Sequence, residues 1–588
     1  MFLPTTETLG TCIRNEDTKE GLHVQLVVIL SAIEILLGAQ PGANRFAGLC
    51  WRNRGMLRGR LSLSHSGALG RAKEGLFIAL ALAALFLLGV AAGVLEAGVQ
   101  TCNQPFRPQF HFTPLKDWMN DPNGLVFYKR EYHLFFQYNP YGNEWGHMSW
   151  GHAVSRDMVH WKQLPVAIPE ANGVMIFSGS AVVDWHNSSG FCRKSSDGDD
   201  SCLVAIYAGY TGKNQDQNLA FSNDRGRTWT KYAGNPVIDL RLANFRDPKV
   251  FWYQPGHKWI MVTVLSSRHK VRFFGSTDLK HWSTLSDFGP EGATGGAWEC
   301  PDLFKLPIAN EPGHSRWVLS INLNPGGVAG GSGNQYFIGS FDGNRFEDEN
   351  PPGKILWADY GKDFYASASF SDIPPSDGRR IWMGWLGNWD YAAHVPTSPW
   401  RGIQSIPRVL KLKRLSQGVR IVQEPVSELK SLRERHVEIV DKTFDAANRI
   451  LQSENVRGAT LEIEVTIDPG RVQDFGLEVR KGPSEETVIG FDPLKSEMFV
   501  DRAQSGDTSF DPKFPGRQTA PFNFVKGQPI HLHIFVDRCS VEVFANHGET
   551  VLSDLIFPSL SSQGIALYSK GGKSRVVRMH IWNLKSAW

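Results

Sequence analysis

The chain has little cysteine for its length, seven residues in 588, and none of it forms paired CxxC motifs. That excludes a dense disulfide scaffold and a finger- or ribbon-type zinc site. It also lacks a charge of one sign: 62 Lys and Arg against 59 Asp and Glu leave a formal net charge of +3. With no basic stripe, nucleic acid is not an expected partner, and nothing points to a polyanion. Helical periodicity is scarce from residue 105 onward, which argues against an α/β architecture. His111, His147 and His152 sit on separate motifs, where structural hydrogen bonding is expected rather than metal binding. No metal and no cofactor are expected.

What the chain does have is length and aromatic content. At 588 residues it is too long for one ordinary domain, so two folded units with extra segments are expected. Most of its 19 Trp and 35 Phe must be core, and core packing for all of them is the plain reading; the sharper one leaves a few flat rings to stack on a ligand. Cys192 and Cys202 bracket a polar loop between two strand-like runs, a spacing that suits a hairpin disulfide in an oxidising compartment. Cys300 is read as a structural thiol.

Residues 1–74 read as a basic, poorly ordered leader. Residues 75–95 form an uncharged run of roughly 21 residues, long enough to span a bilayer as a helix. Arg58, Arg60, Arg71 and Lys73 precede the run and Glu96 follows it. The charge bias places the N-terminus in the cytoplasm and everything after residue 100 outside, or in a vacuole-like lumen. A signal anchor is expected, with a cleaved signal and secretion as the alternative. The sequon at Asn187-Ser188-Ser189 agrees with an extracytoplasmic location. The apolar stretch 24–38, interrupted by Glu34, has no assigned role.

Beyond residue 105 three sets of segments recur in the same order. Strand-like runs occur at 132–138, 202–210, 258–265, 316–323 and 380–386. Ser-x-Asp turns closed by an aromatic follow four of them, at 155–161, 222–229, 276–282 and 340–346. A third set, at 120–128, 177–183, 246–252, 298–304 and 363–370, precedes each run. The period of roughly 55–70 residues predicts one four-stranded blade per repeat, hence a five-bladed β-propeller over 105–415. Residues 416–430 read as a charged linker. Period-two alternation at 459–467, 530–537 and 540–545 predicts a β-sandwich over 431–588. The fold class is therefore all-β, preceded by a transmembrane segment.

In a propeller the first strand of each blade lines the axis, so residues of the third set converge there. Asp121, Asp247 and Glu299 come from the first, third and fourth such strands, each among Gly, Pro, Trp or Asn rather than in a surface charge run. A lone Asp before Pro is usually a turn residue. Three acids at matching repeat positions instead fit glycoside hydrolysis with retention, which needs two carboxylates about 5–5.5 Å apart. Such a crowded trio cannot ionise fully, so one member is expected to hold a proton.

The segments WMNDPNG (118–124), RDP (246–248) and EC (299–300) resemble the three hallmark motifs of glycoside hydrolase family 32, the invertases, inulinases and levanases. FFQYNP (135–140), FSGS (177–180), MGWLGNWDYA (383–392) and DRCSVEVFANHGE (537–549) extend the resemblance from about residue 108 to the C-terminus. It implies Asp121 as nucleophile, Glu299 as general acid/base and Asp247 as transition-state stabiliser, and with those roles Glu299 is the expected holder of the proton while Arg246 keeps Asp247 charged. It also implies Asn120, Gln137, Trp145, Phe177, Ser178, Arg246 and one or both of Trp385 and Trp389 as fructose-binding residues. The implied activity is release of terminal β-D-fructofuranosyl residues from sucrose or fructans. A fructosyltransferase on the same scaffold is the nearest alternative, and a sugar-binding protein without catalysis is a further one. A sialidase, suggested by SNDRGRTW (222–229), would need a Tyr nucleophile. Preferred fructoside and oligomeric state are not legible.

Overall fold

The computed structural model describes residues 102–194 and 198–588. The expected transmembrane segment 75–95 and the leader 1–74 lie outside the described residues. Among those described, no helix is long and apolar enough to cross a membrane.

Residues 117–425 form five sheets in chain order, antiparallel except that Trp400–Arg401 returns to pair in parallel with the first leading strand. Each opens on a leading strand: Asp117–Tyr128, Met175–Asp184, Phe245–Tyr253, Ala297–Pro307 and Tyr365–Ser369. The next strand pairs with it as a hairpin and the sheet continues outward as a meander. Leading strands pack on one another in a closed succession, first to second, second to third, and so on until the fifth meets the first. The strands behind them carry unbroken apolar runs, such as Cys202–Tyr210 and Lys258–Leu265, because both faces of each sheet are covered. The Ser-x-Asp segments are the turns between third and fourth strands. In three of them the Ser hydroxyl donates to the Asp carboxylate, at 3.0, 2.7 and 3.2 Å for Ser155, Ser222 and Ser276.

Every leading strand carries a one-residue β-bulge at the same place. Pairing slips between Met119 and Pro122, Ile176 and Gly179, Arg246 and Lys249, Glu299 and Asp302, and Tyr365 and Ala368. In the last three strands the first bulged residue, Asp247, Cys300 or Ala366, has positive φ (61°, 43° and 52°). These left-handed non-glycine residues cost about 1–3 kcal/mol each and persist only where their surroundings fix them. A bulge bends the strand and re-aims its side chains.

The stretch 416–430 is not a linker, contrary to the sequence reading. Gly418–Pro425 pairs along its whole length with Arg408–Leu415 as the outer hairpin of the fifth sheet. Its charges mislead because this outermost strand leaves Arg420 and Glu424 half-buried at the surface while Ile421, Val422 and Gln423 are buried. The chain crosses over only through the short 3-10 turn Ser427–Leu432.

The C-terminal part is a β-sandwich of a six-stranded and a five-stranded antiparallel sheet. Its alternating strands send Ile463, Val465, Leu532, Ile534 and Val543 into a shared core with Leu477 and Ile489 from the other sheet. A single α-helix, Phe444–Ser453, is capped by the Thr443 hydroxyl, which accepts from the Ala446 N–H at 3.3 Å. Phe444, Ala447 and Leu451, spaced for one helix face, cover the sandwich core.

A buried charged seam joins the sandwich to the sheets. Arg408 pairs with Asp359 at 2.9 Å and with Glu542, and Arg502 pairs with Asp363 at 2.6 Å. His111 lies between Asp537 and Glu542, 2.8 Å from each, with all three side chains out of solvent. Burial alone would lower the imidazolium pKa, but hydrogen bonds and charges from the two carboxylates outweigh it and push it up to about 9. A folded-state pKa above the unfolded value near 6.5 gives stability that is complete below pH 6.5 and lost as pH rises through 9. The shift corresponds to about 3 kcal/mol. Melting measured from pH 6 to pH 10 is therefore expected to show a midpoint falling through this window. His111→Gln is expected to be less stable at pH 6 and to flatten the slope; a wild-type midpoint that holds or rises would contradict the assignment.

Candidate active site

The bulges sort the site side chains into tiers. Arg246, Glu299 and Tyr365 occupy the same register position in three successive leading strands, the last paired residue before each bulge. They touch one another in that order. Arg246 donates to Glu299 Oε1 through Nη2 at 2.8 Å and Nε at 3.2 Å. The Tyr365 hydroxyl donates to Glu299 Oε2. Asp121 and Ser178, both second bulge residues, form the next tier, with the Ser178 hydroxyl donating to Asp121 Oδ2 at 2.6 Å. Asn120 Nδ2 donates to Asp121 Oδ1 at 2.9 Å, and Trp118 Nε1 in turn fixes the Asn120 amide at 2.8 Å.

Cys300 ties the tiers together. Its N–H donates to Asp247 Oδ2 at 2.9 Å, while its thiol lies 3.5 Å from Asp121 Oδ2 and 3.7 Å from Asp247 Oδ2. The three acids predicted from the sequence thus converge, coming from strands that are 126 (121 to 247) and 52 (247 to 299) positions apart. Beneath them a cavity of about 20 Å³ is lined by Ser178, Asp247, Cys300 and Ser367, room for about one water.

The electrostatics differ from the charge division expected. Arg246 binds Glu299 directly and stands 3.8 Å from Asp247. Burial pushes the Asp247 carboxyl up to about 7, against the pull of Arg246 and with the repulsion of Glu299 and Asp121. Burial likewise raises Asp121; donation from Ser178 opposes the shift and the Glu299 charge adds to it. Arg246 still faces Asp247 at ion-pair distance, but burial and the two neighbouring carboxylates outweigh its pull, which the sequence reading did not foresee. Burial, with the adjacent carboxylates, also pushes the Cys300 thiol well up, so it stays protonated as a donor between two acids.

The other predicted residues fall into three groups. Asn120, Ser178 and Arg246 touch the acids directly. Gln137 is buried and donates to the Ile176 carbonyl at 3.0 Å, bracing the second leading strand. Trp145 is 46 % exposed and meets the half-buried Phe177 edge-on at 6.2 Å. Of the two tryptophans left open by the sequence, Trp385 is 1 % exposed, and the half-buried Trp389 packs against it at 4.9 Å. Trp389 is therefore the one with an open face.

Two site residues were missed. Tyr365 lies in the fifth recurring segment, DFYASASF, which carries no acid near its bulge. Aligning the five segments on their bulges would have placed it level with Glu299. Cys300 was set aside as structural. Among the described residues, Glu462, Glu464 and His533 lie close enough to share a metal ion. They belong to the sandwich, and Arg433 already pairs with both carboxylates at 2.6 and 2.9 Å.

Residues 111–425 match the glycosyl hydrolases family 32 N-terminal domain, and residues 428–583 match the C-terminal domain of that family. The chain is 49 % identical to a levanase of Bacillus subtilis, over 85 % of this chain and 74 % of the levanase. It is 41 % identical to an extracellular exo-inulinase of Aspergillus niger, over 83 % of this chain and 96 % of that protein. The crystal structure of an exo-inulinase from Aspergillus awamori superposes with a TM-score of 0.76 at 38 % identity, covering 83 % of this chain and 99 % of the other.

Tyr365→Phe deletes only the hydroxyl that holds Glu299 from the side opposite Arg246. A loss of about 10- to 100-fold in kcat/KM is expected with folding unchanged. Steady-state kinetics with circular dichroism checks this, and activity within about twofold of the parent would show that the contact has no part in positioning Glu299.

Proposed function

The chain belongs to glycosyl hydrolase family 32, and on that premise we propose that it is a retaining β-fructofuranosidase acting on terminal fructosyl residues of sucrose and fructans. Asp121 attacks the anomeric carbon while Glu299 protonates the departing oxygen; Glu299 then activates the water that releases fructose from Asp121. The observation that carries this reading is the contact of Cys300 with both Asp121 and Asp247 beside Glu299. It supports one mouth shared by three carboxylates on separate strands.

Each acid has a setting suited to its step. Asn120 and Ser178 hold both oxygens of Asp121, fixing the nucleophile's orientation. Arg246 and Tyr365 hold the two oxygens of Glu299, fixing the orientation of the general acid/base. Asp247, pushed up to about 7 by burial, keeps a proton within the cluster to near neutrality, which eases the repulsion among the three acids. Asp247 then faces the sugar hydroxyls as the oxocarbenium-like transition state forms. Trp145, Phe177 and Trp389 wall the fructose, with Gln137 and Trp385 behind them.

In this reading the closed succession of leading strands is a five-bladed β-propeller over residues 105–425. The catalytic part lies outside the cytoplasm, anchored through residues 75–95. The length and flanking charge of that segment support the placement, as do the Cys192–Cys202 disulfide and the extracellular exo-inulinase relative.

Asp121→Ala and Glu299→Ala are expected to lower kcat on sucrose by several orders of magnitude with melting behaviour preserved. The first fructose released by the parent is expected to be the β-anomer, followed by NMR. Near-parental turnover in either variant, or α-fructose appearing first, would overturn the assignment.

A further inference from the structure

The leading strands end in a second cavity that the chemistry above does not use. It has a volume of about 370 Å³ and lies at the C-terminal ends of the second, third and fourth strands, against Ser371 and Asp372 just past the fifth. That size is within the range of small-ligand sites. Its walls are aromatic. Trp185 is 49 % exposed, yet its Nε1 donates to Asp372 at 2.9 Å and its ring meets Tyr128 edge-on at 5.9 Å. A tryptophan held upright by its own N–H, with a face left open, has little rotamer freedom to lose when something stacks on it. Trp252, packed edge-on against buried Trp259 at 5.1 Å, and half-buried Trp317 add further ring surface.

Two of the cavity's cations, Lys249 and Arg380, are already engaged, while Lys305 is exposed. Lys249 donates to the Ser369 carbonyl at 2.5 Å and stands 3.4 Å from Asp302. Arg380 donates to the Phe370 carbonyl at 3.1 Å with its guanidinium over the Phe304 ring. With two of its cations engaged and two carboxylates, Asp184 and Asp372, in its walls, the cavity offers an anion little beyond the exposed Lys305. Rigid, half-exposed ring faces beside a few polar groups suit a neutral ligand with flat C–H faces and hydroxyl edges, which describes a sugar ring.

We propose that this cavity is a second, non-catalytic binding site for a neutral fructan segment, which holds polymeric substrate while other chain ends enter the acid cluster. The ligand class rests on the β-fructofuranosidase reading. Trp185→Ala and Trp252→Ala, made in the full-length protein, test it with sucrose against long-chain inulin and levan. KM for the polymer that the parent cleaves is expected to rise roughly threefold to tenfold, with kcat on both substrates and KM for sucrose unchanged. If polymer and sucrose KM move together, or neither moves, the second site is overturned while the catalytic reading stands. A parent protein that cleaves neither sucrose nor fructan would instead overturn the catalytic reading. Retained sucrose turnover reports correct folding. Should Trp185→Ala lose it, Trp185→Phe and Trp252→Ala carry the test, with the same split expected and its absence equally decisive.

Discussion

The structure depends on one backbone device, a single-residue bulge placed at the same register in five leading strands. A regular strand would send successive side chains to opposite faces. The inserted residue breaks that alternation where the strands meet, so that neighbours in sequence, Arg246 with Asp247 and Glu299 with Cys300, serve one site. Three of the bulges hold a non-glycine residue at positive φ, and the site's own hydrogen bonds keep them there. The Cys300 N–H is tied to Asp247 and its carbonyl accepts from Asn322, whose side-chain oxygen accepts from the Ser367 N–H next to Ala366. Strain and catalytic geometry are sustained by the same contacts.

The second constraint is electrostatic. Three carboxylates in a buried cluster with one guanidinium cannot all be charged, and burial pushes Asp121 and Asp247 upward while Arg246 and Tyr365 are committed to Glu299. Below the cluster, Lys249 and Asp302 form a further buried pair. The sandwich contributes at a distance. Its Arg502 pairs with Asp363, two residues before Tyr365, so the charged seam anchors the strand that carries the Glu299 partner. This gives the second domain a positioning role without placing any of its residues among the acids.

Much of this was legible in the sequence because repetition made it so. The five leading strands, the strands behind them and the Ser-x-Asp turns each recur five or four times, and the acids stand out by falling on leading strands, although at three different positions: Glu299 before its bulge, Asp247 first and Asp121 second within theirs. What was not legible depended on local geometry that repetition does not encode. Burial outweighed the pull of Arg246 on Asp247. The bulge turned Cys300 from a core thiol into a donor between two acids. Tyr365 escaped because a search for carboxylates passes over a phenol. Gly418–Pro425, within the stretch that reads as a linker, pairs with Arg408–Leu415 instead, and its surface charges hide the strand because an outer strand leaves them toward solvent. Trp385 and Trp389 could be separated only by burial, which two nearby tryptophans in one motif do not reveal.

The central claim is that the bulges deliver Asp121 as a nucleophile beside Glu299. The most direct measurement is rapid acid quench of the enzyme during turnover of sucrose, followed by intact-mass analysis and peptide mapping. The account predicts an adduct of one fructosyl residue, ester-linked within the peptide that contains Asp121. An adduct mapped to another carboxylate, or none in an enzyme that releases α-fructose first, would contradict it.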